Sequence, residues 1–406
     1  MTGLIVIVFI AVYLGMALGR VPGLTLDRTG VALLGLIVLL ASGALSLEEA
    51  GAAVDLATLS LLFALMIISA QFQGSGFYRL CARAITNAAG RPTRLLAILI
   101  GVTGVLSAVL TNDVVVFALT PLVCKALLAR NLDPRPFVIA LAGAANAGSA
   151  ATLIGNPQNI LIGQVADLDF WGYTLVALVP TAIALAAVHG AVRLTWSAAL
   201  AAPASPAAEE TVEADRWQIA KGLLALAALI ALFSTPLPRE IGALAIAGLV
   251  LLSRRMSSRD MIGSVDWHLL LLFTALFGVT AAFAGTGLSE QGLAWLAGHH
   301  LEPDRLGLLA PLALVLSNTI GNVPAVVLLT SLLPDFGEAW FIALALFSTF
   351  AGNLLLTGSM ANIIVAERAA DAGVRVSFLD FARAGIPMTL ASMAGAAAWL
   401  MLTGVT

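Results

Sequence analysis

The sequence has 406 residues, 60% of them hydrophobic and only 11% charged, with a formal net charge of −3 and a mean hydropathy of +1.01. A soluble domain of that size must show much of its surface to water and cannot do so with so few charges. Repeated apolar runs of roughly 17–25 residues predict a polytopic helical membrane protein instead. Cys81 and Cys124 are isolated, and His189, His268, His299 and His300 are scattered. Neither a disulfide framework nor a soft-metal set is indicated. The chain offers no GxxxxGK[ST] loop, HExxH or GxSxG, so it reads as a non-enzyme with no cofactor beyond a bound sodium ion.

Hydropathy predicts spans at 3–19, 29–46, 56–73, a long 95–129, a long 136–165 and 172–195. After them come 217–235, 240–253, 267–285, a long 306–334, a long 339–365 and 384–403. The first run lacks a basic flank and a cleavage-like site, so it is expected as a retained helix. Residues 1–200 form a first half and 217–406 a second. Between them, 201–216 is a cytoplasmic linker carrying Pro203, Pro206, Glu209, Glu210, Glu213 and Asp215. Trp171, Trp196, Trp217 and Trp267 stand near span ends, where indoles anchor to the membrane interface.

Basic residues gather in alternate loops: Arg20 and Arg28; Arg79, Arg83, Arg91 and Arg94; Lys125, Arg130 and Arg135; Arg193, Arg216 and Lys221; Arg254, Arg255 and Arg259; Arg368, Arg375 and Arg383. With these loops cytoplasmic, 18 of the 20 basic residues lie inside and only Arg239 and Arg305 outside. The other loops are acidic, with Glu48, Glu49, Asp55, Asp167, Asp169, Glu240, Glu290, Glu302, Asp304, Asp335 and Glu338. The positive-inside rule is met only if 95–129 and 306–334 each return to the side they entered. That condition predicts two re-entrant hairpins, one from each face, with both termini outside.

The halves match. Asp55 with Gly74 and Gly76 recurs as Asp266 with Gly285 and Gly287. Ser107, Asn112 and Thr120 recur as Ser317, Asn322 and Thr330, and Asn156 and Asn159 as Ser359 and Asn362. Because Asp55 falls outside and Asp266 inside, the repeats are inverted. The predicted fold is an all-α polytopic membrane protein, an inverted-repeat secondary transporter with two re-entrant hairpins and two interrupted helices.

Polar residues inside these runs mark the candidate site. Asp113 sits in a long apolar run, where a carboxylate faces protein or water and is functional by default. No intramembrane Lys or Arg stands near it in the sequence, which weakens a purely structural pairing. Gly155 and Pro157 predict a break in 136–165 that frees backbone groups for a solute or ion. The candidate solute-binding residues are Thr111, Asn112, Asn156, Asn159, Asn322, Ser359 and Asn362. The candidate ion-coupling residues are Asp113, Ser149, Thr152, Asn353 and Thr357. Close packing of small residues explains one such segment but not two at matching positions. Ser317-Asn318-Thr319 competes with Gly321-Asn322-Val323-Pro324 for the second tip, and the repeat offset favours Asn322.

At these residues the chain resembles the ion transporter superfamily, which includes arsenite permeases, NhaD-type sodium/proton antiporters, citrate and dicarboxylate carriers and the melanosomal P protein. SAATLIGNPQNILIG (Ser149–Gly163) resembles its first interrupted helix and TNDVVVFALTP (Thr111–Pro121) its first tip. GNVPAVVLLTS and GNLLLTGSMANIIVAE resemble the second-half counterparts. Sodium-dicarboxylate members carry Ser-Asn-Thr at both tips; Thr-Asn-Asp and Gly-Asn-Val-Pro here look more like the arsenite-permease and P-protein branch. The resemblance implies a homodimer with a scaffold and a transport domain that moves like an elevator.

The expected function is secondary transport of a small anion or oxyanion-type solute, coupled to protons or sodium, in a bacterial-type inner membrane. A sodium/proton antiporter is the alternative. The expected partners are a small molecule or ion and the lipid bilayer, not nucleic acid; an accessory ATPase subunit is compatible with the sequence.

Overall fold

The structure, a computed structural model, describes residues 1–18, 25–87, 91–203, 205, 213–288, 290–292, 298–299, 305–333 and 336–405. Arg20, Pro206, Glu209, Glu210, His300, Glu302, Asp304 and Asp335, which enter the charge partition, the linker and the histidine count, lie outside these residues.

The first half runs α1 (Thr2–Leu18), α2 (Arg28–Ala41), a short α3 (Leu47–Ala53), α4 (Leu56–Gly74), α5 (Phe77–Asn87), α6 (Pro92–Val109), α7 (Asn112–Leu128), α8 (Arg135–Ser149), α9 (Pro157–Val165), α10 (Phe170–Thr195) and a short α11 (Ser197–Leu200). In the second half come α12 (Arg216–Leu232), α13 (Arg239–Leu251), a short α14 (Ser258–Gly263), α15 (Trp267–Ala284), α16 (Leu306–Thr319), α17 (Asn322–Leu332), α18 (Glu338–Ala351), α19 (Met360–Asp371) and α20 (Phe378–Thr403). Among the described residues there is no strand. Five of these helices, α4, α6, α10, α15 and α20, are long and apolar enough to cross a membrane. Ile7, Leu14, Leu175 and Leu390 are exposed on outward faces of α1, α10 and α20, which suits acyl chains and not water.

Capping residues place the repeated helices. Asp55 accepts from Thr58 N at 3.0 Å and Asp266 from Leu269 N at 3.0 Å, so the matched aspartates are N-caps of α4 and α15. The halves interlock: α2 packs on α15, α13 on α4, α7 on α19 and α17 on α9.

The two predicted hairpins are α6–α7 and α16–α17. In the first, Leu110 and Thr111 are extended and separate the two helices. In the second the turn runs through Ile320 and Gly321, whose φ of +101° and ψ of 153° only glycine adopts readily. Both predicted interruptions are present, at 150–156 between α8 and α9 and at 352–359 between α18 and α19. Gly155 is required at the first: a Cβ there would run into Ser149 O and lie 2.8 Å from Ser107 O.

One segment differs from expectation. Residues 77–87, read as loop, form α5, a surface helix that buries Tyr78, Ala82 and Ile85 on one face and packs against α7. That spacing is helical, but the segment is too short and too polar to register in a membrane-span window.

Candidate functional site

Four helices begin at one cavity. Its lining comes from Asn112 and Asp113 at the start of α7, Pro157 and Gln158 of α9, Asn322 to Pro324 of α17, and Ser359 and Met360 at the start of α19. Gly321, Leu269, Leu272 and Arg28 complete it, and about 30 Å³ is open to a water-sized molecule. The first amides of a helix have no intrahelical partner, and each N-terminus carries about half a positive elementary charge. Four such ends bordering one cavity favour an anion there through their dipoles. Asn112 N, Val323 N, Asn159 N and Ala361 N are already bonded, to Gly155 O, Asn322 Oδ1, Asn156 Oδ1 and Ser359 Oγ respectively.

Asn146 and Thr349 tie together three of these four ends, those of α7, α9 and α19. Asn146 Oδ1 accepts from Asn112 Nδ2 at 3.2 Å and from Ser359 Oγ at 3.0 Å. Its Nδ2 donates to Asn353 Oδ1 at 2.8 Å and to Asn362 Oδ1 at 2.9 Å. That uses the full capacity of a primary amide. Thr349, at the matching place on α18, accepts from Asn156 Nδ2 and Gln158 Nε2 and donates to Asn159 Oδ1.

The predicted site residues therefore separate by role. Asn112, Asp113, Asn322 and Ser359 line the cavity. Thr111 is the N-cap position of α7 and is buried beneath the tip. The remaining residues stand behind the lining. Asn156 caps α9 by accepting from Asn159 N, while Asn159 Nδ2 donates to Thr152 O and Tyr173 Oη. Asn362 Nδ2 donates to Gly352 O and Leu355 O, and Asn353 Nδ2 to Gly143 O. Ser149 Oγ donates to Asn146 O and accepts from Asn156 Nδ2; Thr152 Oγ1 donates to Ala108 O. Thr357 is exposed in the second break and does not line the cavity. Asn318, from the competing tip motif, donates back to Leu314 O and Ala351 O, leaving Asn322 as the tip residue in the cavity.

Asp113 makes no hydrogen bond or ion pair among the described residues. Arg28, which the sequence reading did not place at the site, lines the same cavity. Arg28 is the first residue of α2, and its Nε donates to Met16 O at 3.3 Å. Its guanidinium lies 3.2 Å from where a Cβ on Gly321 would stand. A positive-inside reading explains an arginine at a helix end without any site, so sequence reasoning passed over it. Arg239, which stands as far before Asp266 as Arg28 does before Asp55, was the signal that could have exposed it.

Hairpin tips and broken helices from two inverted halves, meeting at one cavity in an all-helical membrane chain, define a membrane transporter. A model of the citrate transporter family matches residues 4–340, and the chain belongs to that family. A 46 kDa membrane protein of Mycobacterium leprae (strain TN) is 31% identical across 99% of this chain and 99% of its own length. The silicon efflux transporter LSI3 of Oryza sativa subsp. japonica is 27% identical over 91% of each chain. A crystal structure of the Alcanivorax borkumensis YdaH transporter has the same fold, with a TM-score of 0.57 at 17% identity over 100% of this chain and 97% of that one. The resemblance to the ion transporter superfamily is borne out. The chain is a multi-pass membrane transporter.

Proposed function

We propose that the chain is a secondary active transporter for a small anion or oxyanion-type solute, arsenite- or carboxylate-like, coupled to protons or sodium. The observation that carries this reading is the convergence of four helix N-termini and the Arg28 guanidinium on one cavity. An anion leaving water loses several kcal/mol of hydration, and preoriented amides with a guanidinium replace it. One guanidinium offset by one carboxylate suits a solute of low charge better than a tricarboxylate. The small cavity favours a compact solute as well.

Coupling follows from Asp113. Its charge opposes the anion until a proton or a sodium ion neutralises it, so cation and solute favour each other's binding. The first tip also offers Thr111 Oγ1 and Asn112 Oδ1, both buried without a partner. Such orphaned oxygens fit a hard cation. A bound sodium ion there is part of the proposal.

Access alternates by an elevator-type shift of the hairpins and broken helices against α2, α4, α13 and α15. An asymmetry between the repeats supports this: α9 packs on α4, whereas its counterpart α19 has no comparable packing on α15. The cavity also borders Leu269 and Leu272, within about 8 Å along α15 from its first residue, and so lies toward one end of that helix. By charge that end faces the cytoplasm. A homodimer in a bacterial-type inner membrane, with both termini outside, belongs to the same proposal.

An unpartnered Asp113 also suits sodium/proton exchange without solute. Proteoliposome flux over a panel of oxyanions and carboxylates, under imposed sodium and pH gradients, separates the two. Gradient-driven accumulation of one anion is expected; ion exchange with no anion moved overturns the proposal in favour of antiport.

A further inference from the structure

Arg28 and Arg239 are repeat equivalents that do different things in this structure. Each opens its helix, α2 or α13. Arg239 Nη2 donates to Leu168 O at 2.6 Å and Nη1 to Gly163 O at 3.4 Å. These carbonyls end α9, where Leu168 N closes onto Gly163 O. A cation on the last carbonyls of a helix is held by charge-assisted bonds and the helix dipole. Arg28 caps no broken helix: its Nε donates to Met16 O in the last turn of α1, while its terminal nitrogens have no partner among the described residues and border the cavity. The matching end of α19 has the same closure, Val374 N onto Ala369 O.

We infer that the two arginines trade places: in each access state one caps a broken helix while the other faces the cavity and its anion. This rests on the proposed function, which supplies the anion and the two states. In the alternate state Arg28 caps α19 at Ala369 O and Val374 O, and Arg239 lines the cavity beside the first tip. Each arginine therefore stabilises one state by its cap and serves the solute in the other.

The test uses Met360→Cys, a partly exposed cavity position, in a background lacking Cys81 and Cys124, labelled in proteoliposomes with an impermeant maleimide from either side. Arg239→Gln removes the cap seen here, so labelling from the face opposite the start of α15 rises on the order of tenfold. Arg28→Gln removes the other cap and shifts labelling the opposite way. Arg239→Lys, which keeps the charge but loses the planar two-nitrogen fork, shifts it as Arg239→Gln does but less; monodisperse gel filtration certifies folding. Shifts in the same direction, or none, overturn the exchange. Labelling needs no solute, so it reads the pair even if no anion in the panel moves. Unshifted labelling in a protein that does move an anion overturns this inference alone.

A separate observation carries a second site. Arg91 and Arg94 at the start of α6, with His189 and Arg193 near the end of α10, line one open groove. None of the three arginines has a hydrogen-bond or ion-pair partner among the described residues, and His189 Nδ1 is buried without one. Below the groove Gly101 and Val105 of α6 and Ala182 and Leu178 of α10 are exposed, an apolar lane suited to acyl chains. We propose that the groove holds the phosphodiester of an anionic phospholipid.

Thermal shift in detergent, titrating phosphatidylglycerol, phosphatidylcholine or inorganic phosphate, tests it. Phosphatidylglycerol is expected to stabilise the protein, and each arginine replaced by glutamine to weaken that effect about fivefold. Equal stabilisation by phosphatidylcholine or by inorganic phosphate, or no change in the triple variant, overturns it.

Discussion

Asn146 and Thr349 occupy matching positions on α8 and α18, and each hydrogen-bonds the broken helix of the opposite repeat. The exchange makes the cavity a joint product of both halves: the start of each broken helix is held by a residue of the other repeat.

Asn146→Ala is therefore expected to destabilise the protein. It strands the buried polar atoms of Asn112, Ser359, Asn353 and Asn362, and one unsatisfied buried group already costs about 1–3 kcal/mol. Thr349→Val should act in the same direction through Asn156, Gln158 and Asn159. Melting in detergent checks both. A double-mutant cycle of Asn146→Ala with Asn362→Ala should show a coupling of about 0.5 kcal/mol or more, since the two share a bond. Additive losses would remove Asn146 from its linking role.

Much of this site was legible because polar residues stand out in apolar runs and recur with the repeat. Asn112, Asp113, Asn322 and Ser359 were found that way, and all four line the cavity. What stayed hidden was which asparagines face the cavity and which stand behind it. Asn156 and Asn362 look the same in sequence as Asn112, yet caps and cross-repeat bonds consume their amides. Those bonds join residues some two hundred positions apart, and no local pattern announces them. The hairpins were legible through charge alone, because loop arginines constrain how often the chain crosses.

Gly321→Ala tests the second tip. A side chain at φ +101° and ψ 153° costs about 1–3 kcal/mol, and its Cβ would press on the Arg28 guanidinium at 3.2 Å. Lower thermal stability is expected together with weaker apparent affinity for the transported anion. Gly337→Ala, where a Cβ meets nothing within 4 Å and φ is −68°, should alter neither. Equal effects of the two would place the strain elsewhere.

Sidedness follows from the basic partition. Single cysteines replacing Arg91 and Arg259 are expected to react with an impermeant maleimide only from the cytoplasmic side, and one replacing Glu49 only from outside. All three side chains belong to exposed residues, so reactivity reads sidedness and not burial. Labelling of Arg91→Cys and Glu49→Cys from the same side would refute the arrangement.

Asp113→Asn is the decisive substitution for coupling. Asp266, the cap of α15, acts on this carboxylate through space, and Arg28 lines the same cavity. Asparagine keeps the size and hydrogen-bonding capacity but cannot exchange a proton or balance a sodium ion. With the carboxylate's charge gone the cavity repels an anion less, so the anion should bind more tightly, not less. Because Asp113 makes no hydrogen bond among the described residues, its replacement strands no partner, and a folded, membrane-inserted protein is expected. The predicted phenotype is a split one. Solute counterflow without a gradient persists, whereas accumulation driven by pH or sodium gradients is lost and its pH dependence flattens. Loss of counterflow together with accumulation would make Asp113 a solute contact and not the coupling group. Accumulation equal to wild type across neutral pH would return the residue to a structural role.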